Sequence, residues 1–125
     1  MNKTILVVDD DVHVRRMIAT MLNTASFEVI EAADAAAAIT VLGTLRIDLL
    51  VTDLRLPDMD GAALIARVRA DERLAGLPVL VLSGYTDTTS ASPAADRTLV
   101  KPFEMTELVE TVSEMLALRT PEPAV

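Results

Sequence analysis

The stretch Thr4-Ile5-Leu6-Val7-Val8-Asp9-Asp10-Asp11 decides the fold class. Its first five residues are β-branched or apolar without alternation, which suits a strand covered by helices on both faces, as in a parallel sheet. The run stops abruptly at three aspartates. Apolar residues then recur at Val14, Met17, Ile18, Met21 and Leu22, the spacing of one helix face, with Arg15 and Arg16 directed away from it. A strand passes into a helix through an acidic turn.

The same unit repeats outward from there. Residues 27–32 read as a strand, 35–42 as an alanine-rich helix behind a cap at Asp34, and 48–52 as a third strand. The proline and glycine of Asp53-Leu54-Arg55-Leu56-Pro57-Asp58-Met59-Asp60-Gly61 mark a loop, and a helix carrying Leu64, Ile65 and Val68 follows. Residues 78–82 give a fourth strand and 99–100 a short fifth. The last helix lines up Met105, Leu108, Val109, Val112, Met115 and Leu116. Strands alternating with helices predict an α/β fold with a doubly wound five-stranded parallel sheet, a flavodoxin-like (βα)5 arrangement. The crossover between residues 84 and 97 is poor in helix formers and contains Pro93, so its fourth helix is expected to be short or irregular.

Composition bounds the function. At 125 residues, with 51% hydrophobic and 24% charged, the chain has room for one core and no second domain. Residues 1–118 are expected to form that domain. Residues 119–125, with two prolines, are expected to be a disordered tail or a linker stub. Nineteen acidic residues against eleven basic give a formal charge of −8, which disfavours direct contact with nucleic acid. Cysteine is absent, so neither a disulfide framework nor a thiolate metal site is available. No apolar run approaches the ~20 residues that span a bilayer, and no signal peptide opens the chain. A cytoplasmic protein is expected.

In open parallel sheets the chemistry gathers outside the carboxyl ends of the strands, near the point where strand order switches. The predicted strands deliver Asp9 and Asp10, Asp53, Ser83 and Lys101 to that rim. Three converging carboxylates repel unless a cation sits among them, and Mg²⁺ suits carboxylates that share it with phosphate oxygens. Zinc lacks its preferred ligands, because the only histidine, His13, lies one turn into a helix. A carboxylate can attack phosphorus and form an acyl phosphate where the charge of the transferring group is offset. Lys101 offers an ammonium for that purpose and Ser83 a hydroxyl. Each residue also has a structural reading: aspartates at strand ends cap helices, Asp53 forms a turn, Lys101 is a solvated surface residue. Met17, Met21, Met105 and Met115 read as core. The combination on one rim favours a site, since capping does not require a lysine there.

Four segments in order carry a family resemblance: Val7-Val8-Asp9-Asp10-Asp11, the loop from Asp53 to Gly61, Leu82-Ser83-Gly84-Tyr85, and Val100-Lys101-Pro102-Phe103. From residue 5 to about 118 the chain resembles the receiver domain of two-component response regulators, the CheY-like superfamily. The resemblance implies that Asp53 is the phosphoacceptor, that Asp10 and Asp53 bind Mg²⁺ directly together with the backbone carbonyl of Arg55, and that Asp9 acts on the metal largely through water. Ser83 would turn inward on phosphorylation and Lys101 would pair with the phosphoryl oxygens. The donor would be a phosphohistidine on a histidine kinase or phosphotransfer protein, and the output a changed contact with a downstream protein, made by a monomer or weak dimer. Beyond taking and slowly hydrolysing its own phosphoryl group, such a domain is not an enzyme.

Two departures from the family stand out: one is the crossover of residues 84–96, short and poor in helix formers, and the other lies just before the lysine. Thr98 occupies the place of the usual aromatic residue three positions before the lysine, so Ser83, Thr98 and Tyr85 are the switch candidates, and phosphorylation is expected to order or move residues 84–96. Arg55 and Tyr85 would flank the attack path. Three rivals share parts of the pattern: a receiver-like interaction module that is never phosphorylated, an aspartate-nucleophile phosphatase using Asp9 and Asp11, and a nucleotide binder of flavodoxin type. The acidic turn after the first strand repels the cofactor phosphate that the last of these requires.

Overall fold

The computed structural model describes residues 2–84 and 95–119. In chain order the elements are β1 (Thr4–Val8), α1 (Val12–Thr24), β2 (Glu28–Ala32), α2 (Ala35–Thr44), β3 (Leu49–Asp53), α3 (Gly61–Ala70), β4 (Val79–Ser83), β5 (Arg97–Val100) and α4 (Met105–Arg119). All strand pairs are parallel and the sheet order is β2-β1-β3-β4-β5. The order reverses between β1 and β3, so a crevice opens at their carboxyl ends. No helix among the described residues is long and apolar enough to cross a membrane.

The unalternated strands have a simple cause. Successive side chains leave a strand on opposite faces, and both faces of this sheet are covered. Leu6 and Val8 of β1, Leu50 of β3 and Val79 and Val81 of β4 meet Ala38 and Leu42 of α2 and Leu64, Ile65 and Val68 of α3. On the other face Ile5, Val7, Leu49, Val51, Leu80, Leu82 and Leu99 meet Ile18 and Leu22 of α1 and Leu108, Val112, Met115 and Leu116 of α4. The rung from Ile5 to Val8 serves both layers. That is why these strands contain no polar side to read.

Three helices start on an aspartate whose carboxylate accepts backbone amides: Asp11 for α1, Asp34 for α2 and Asp60 for α3. Each stands at the exit of a loop above the site, so the capping carboxylates also fix where the crossovers begin. Helix α1 ends in a Schellman turn, in which the Ser26 amide donates to the Asn23 carbonyl (3.0 Å) and the Phe27 amide to Leu22 (3.0 Å). Ser26 takes φ 75° to make it. Strand β2 consequently begins at Glu28 rather than at Phe27.

Several expectations are corrected. Met17 and Met105 are not core residues: they are 45% and 42% exposed. The buried stripe of α1 is Ile18, Ala19 and Leu22, and Met17 falls at its margin; Met105 opens α4, ahead of the first buried position, Leu108. Met115 is buried and Met21 packs against the core as expected. Strand β3 runs one residue further, to Asp53, which pairs with Leu82. Strand β5 starts two residues earlier, at Arg97. The expected irregular fourth helix, Tyr85 and residues 120–125 lie outside the described residues.

Candidate functional site

The crevice is built from the ends of four strands. Val8 pairs with Thr52, so the next residues, Asp9 and Asp53, stand side by side at the carboxyl ends of β1 and β3. Asp10 follows in the turn, and one carboxylate oxygen from each of Asp9, Asp10 and Asp53 lies within 4.8 Å of the others. Strand β5 is two strand spacings from β3, roughly 9–10 Å, a gap that only a long side chain crosses. Lys101 does so, placing Nζ 3.5 Å from Asp53 Oδ2 and 3.6 Å from Asp9 Oδ2. Its backbone amide donates to the Ser83 carbonyl (2.9 Å), which locks the lysine to the end of β4.

Asp9 is the buried member of the acidic cluster. Its side chain is 1% exposed; Oδ1 accepts the Asp11 amide at 2.9 Å, while Oδ2 has no hydrogen-bond partner. Burial pushes its carboxyl up from the usual aspartate range, the Asp11 amide and Lys101 pull it back, and the neighbouring carboxylates of Asp53 and Asp10 push it up again. A buried carboxylate oxygen without a donor, inside a ring of three acids, is an incomplete arrangement. A hard divalent cation completes it, because the donors are all oxygen and no imidazole or thiolate takes part. The residues present therefore fit Mg²⁺.

The other orphan is Ser83 Oγ, fully buried and without a partner. Thr98, by contrast, is exposed on the edge strand opposite Val81. Arg55 is exposed in the loop after Asp53 and forms an isolated antiparallel bridge with Asp60. Of the consecutive aspartates only Asp11 caps α1, through the His13 and Val14 amides (2.9 and 3.2 Å). Those amides hold its carboxyl below the usual range. Asp11 is thus engaged by α1 and stands outside the cluster of three acids that a phosphatase pairing with Asp9 would enlarge.

Three supports escaped the sequence reading. Arg15, expected to face solvent, instead donates Nη1 to the Asp9 carbonyl (3.0 Å) and Nε to Glu31 (2.9 Å), fixing the acidic turn from behind. Gly61 approaches Asp53 so closely that a Cβ there would lie 2.5 Å from the Asp53 carbonyl oxygen and 2.9 Å from Leu54 Cα. Asp58 reaches from the loop to the amides of Ala35 and Ala36 on α2, both at 2.9 Å. Only the glycine left a trace in sequence, at the close of the loop.

Comparison with known proteins agrees with this geometry. The response regulator receiver domain family matches residues 5–113. The DNA-binding response regulator MtrA of Mycolicibacterium paratuberculosis is 36% identical over 99% of this chain and 56% of its own length. The chain thus spans about half the length of the curated relatives it matches. Among solved structures, a response regulator candidate from Chloroflexus aurantiacus is 36% identical with a TM-score of 0.87, covering 94% of this chain and 99% of its own. The chemotaxis response regulator CheY4 of Vibrio cholerae is 28% identical with a TM-score of 0.85, covering 92% of this chain and 99% of its own. With its sheet order, its acidic crevice and this match over most of its length, the chain belongs to the response regulator receiver domain family.

Proposed function

We propose that Asp53 accepts a phosphoryl group from a phosphohistidine, with Mg²⁺ bound among Asp10, Asp53 and the Arg55 carbonyl and with Asp9 acting on it through water. The observation that carries this is the convergence of three carboxylates and the Lys101 ammonium around one buried oxygen that lacks a donor. When bound, Mg²⁺ supplies positive charge that offsets both the acids and the oxygens of the transferring group. An Asp53 carboxylate oxygen attacks phosphorus, the bond from phosphorus to the donor nitrogen breaks, and its electron pair returns to the imidazole, which takes a proton from solvent. Lys101, already 3.5 Å from Asp53 Oδ2, stabilises the new phosphoryl oxygens. The buried Ser83 hydroxyl finds in one of those oxygens the acceptor it lacks. Attack of water later breaks the acyl phosphate and returns the carboxylate and inorganic phosphate, so the cycle consumes only the donor and one water.

Capture of a phosphoryl oxygen by Ser83 at the end of β4 pulls on the chain that follows it, residues 84–96. Thr98 contributes no ring to that movement and faces outward on the edge strand. Tyr85, next after Gly84, is the remaining candidate to report it. We read the output as a changed contact with a protein, made by a cytoplasmic monomer or weak dimer whose receiver comprises residues 1–118. The relative MtrA is named for DNA binding, but the formal charge of −8 on this chain favours a protein surface over a phosphate backbone.

Phosphoramidate, a small donor with a phosphorus to nitrogen bond, tests the chemistry. Its consumption, followed by phosphorus NMR, is expected with Mg²⁺ and wild-type protein and is expected to stop in Asp53→Asn. Equal consumption by the two proteins overturns the assignment of the acceptor.

A further inference from the structure

Asp58 sits at the tip of the loop joining β3 to α3, and its carboxylate reaches across to the start of α2. Oδ1 accepts the Ala35 amide and Oδ2 the Ala36 amide, each at 2.9 Å. These are the first two amides of α2. The third, from Ala37, goes to the Asp34 carboxylate (2.8 Å), and that of Ala38 to the Asp34 carbonyl (3.1 Å). Helix α2 therefore has its own cap in Asp34, and α3 has its own in Asp60. Asp58 satisfies the two amides of α2 that Asp34 does not reach, and in doing so it fastens one loop to a helix 22–23 residues away in sequence.

What it fastens is the segment between the acceptor and α3. At its base the loop is closed by the Gly61 amide on the Leu54 carbonyl (2.6 Å), by the Arg55–Asp60 bridge, and by the backbone of Gly61 lying against that of Asp53. Leu56 and Met59 rest on the apolar layer that also contains Ala35 and Ala38. A ring closed at its base can still rock about that base unless its tip is held as well. The two bonds from Asp58 hold the tip, and the partial positive charge at the start of α2 favours the carboxylate that makes them.

We infer that Asp58 is a positioning residue: it fixes the loop after Asp53 so that the Arg55 carbonyl and the acidic cluster present one rigid oxygen cage to a small divalent cation. This rests on the reading of the crevice as a Mg²⁺ site. Mg²⁺ demands near-ideal octahedral geometry, whereas Ca²⁺ accepts longer and more variable contacts. Loss of the tip anchor is therefore felt more by Mg²⁺ than by Ca²⁺.

Calorimetric titration with Mg²⁺ and, separately, with Ca²⁺ distinguishes this role from simple support of α2. Asp58→Ala is expected to raise the Mg²⁺ Kd about tenfold, the lower range for loss of a group that orients metal ligands, and the Ca²⁺ Kd about threefold or less. Asp58→Asn, which keeps one acceptor, should fall between Asp58→Ala and wild type and guards against a variant that fails to fold. Asp34→Ala removes the other cap of α2 without touching the loop and is expected to leave both constants unchanged. An unchanged Mg²⁺ Kd in Asp58→Ala, or an equal shift in Asp34→Ala, overturns the role assigned to Asp58. Absence of Mg²⁺ binding by the wild-type protein overturns the reading of the site itself.

Discussion

Replacing Gly61 by alanine exchanges one hydrogen for a methyl group beside Asp53, and the structure fixes what it meets. The new Cβ lies 2.5 Å from the Asp53 carbonyl oxygen, 2.9 Å from Leu54 Cα and 3.1 Å from the Leu54 carbonyl oxygen. All three are backbone atoms of β3 and its exit, so no side chain can rotate away. Ordinary contact requires a separation of about 0.5–1 Å more, which Asp53 and Leu54 can give only by moving relative to β4. Overpacking of this kind costs about 1–3 kcal/mol. Alanine returns about 0.5–1 kcal/mol by restricting the unfolded chain. The net expectation is a loss of about 1–2 kcal/mol, read in urea as a midpoint lower by about 1 M for a slope of about 1–2 kcal/mol/M. Gly43→Ala is the matched control, since nothing stands within 4 Å of its Cβ; it should hold or raise stability. Displacing Asp53 should also slow phosphorylation of Gly61→Ala beyond what its remaining folded fraction explains. A Gly61→Ala protein as stable and as readily phosphorylated as Gly43→Ala would refute the close-approach reasoning.

Ser26→Gly should stabilise the protein by about 0.5–1 kcal/mol, because the φ of 75° that Ser26 adopts strains a residue with a Cβ and not glycine; a thermal melt checks it. Free Mg²⁺ at ten times its Kd should raise stability by about 1.4 kcal/mol and the melting temperature by about 5 °C, with the shift reduced in Asp10→Ala, as differential scanning calorimetry would record. Asp58 has its carboxyl held below its ordinary value of 3.8 by the Ala35 and Ala36 amides. Its contribution is therefore complete above that pH and is lost as pH falls through the lower folded value. The stability difference between wild type and Asp58→Ala should accordingly close on acidification below about pH 3.8 and stay constant above it, measured by urea titration at each pH.

Much of the fold was legible because its causes are local. A sheet buried on both faces leaves continuous apolar strands, and β1, β3 and β4 declare themselves in that way. The crevice was legible because parallel strands deliver their last residues to one rim, so Asp9, Asp53, Ser83 and Lys101 could be placed together from strand ends alone. What the sequence withheld depends on one-residue offsets or on distant partners. Asp9, Asp10 and Asp11 are chemically alike, and where α1 begins decides that Asp11 caps it while Asp9 turns inward. The bond from Asp58 to α2 requires knowing which helix lies beside the loop. Arg15 reads as solvent-facing by helix periodicity, yet the acidic turn and Glu31 of β2 draw it in. Ser26 gave no warning of its left-handed turn, since glycine is the residue that ordinarily marks one.

The central claim is that Asp53 takes a phosphoryl group with a divalent cation in the crevice. Intact-mass measurement after incubation with a small acyl phosphate tests it most directly, comparing wild type with Mg²⁺, wild type with a chelator, and Asp53→Asn with Mg²⁺. A gain of one phosphoryl group confined to the first sample is the predicted result; the same gain in Asp53→Asn, or none in any sample, would contradict it.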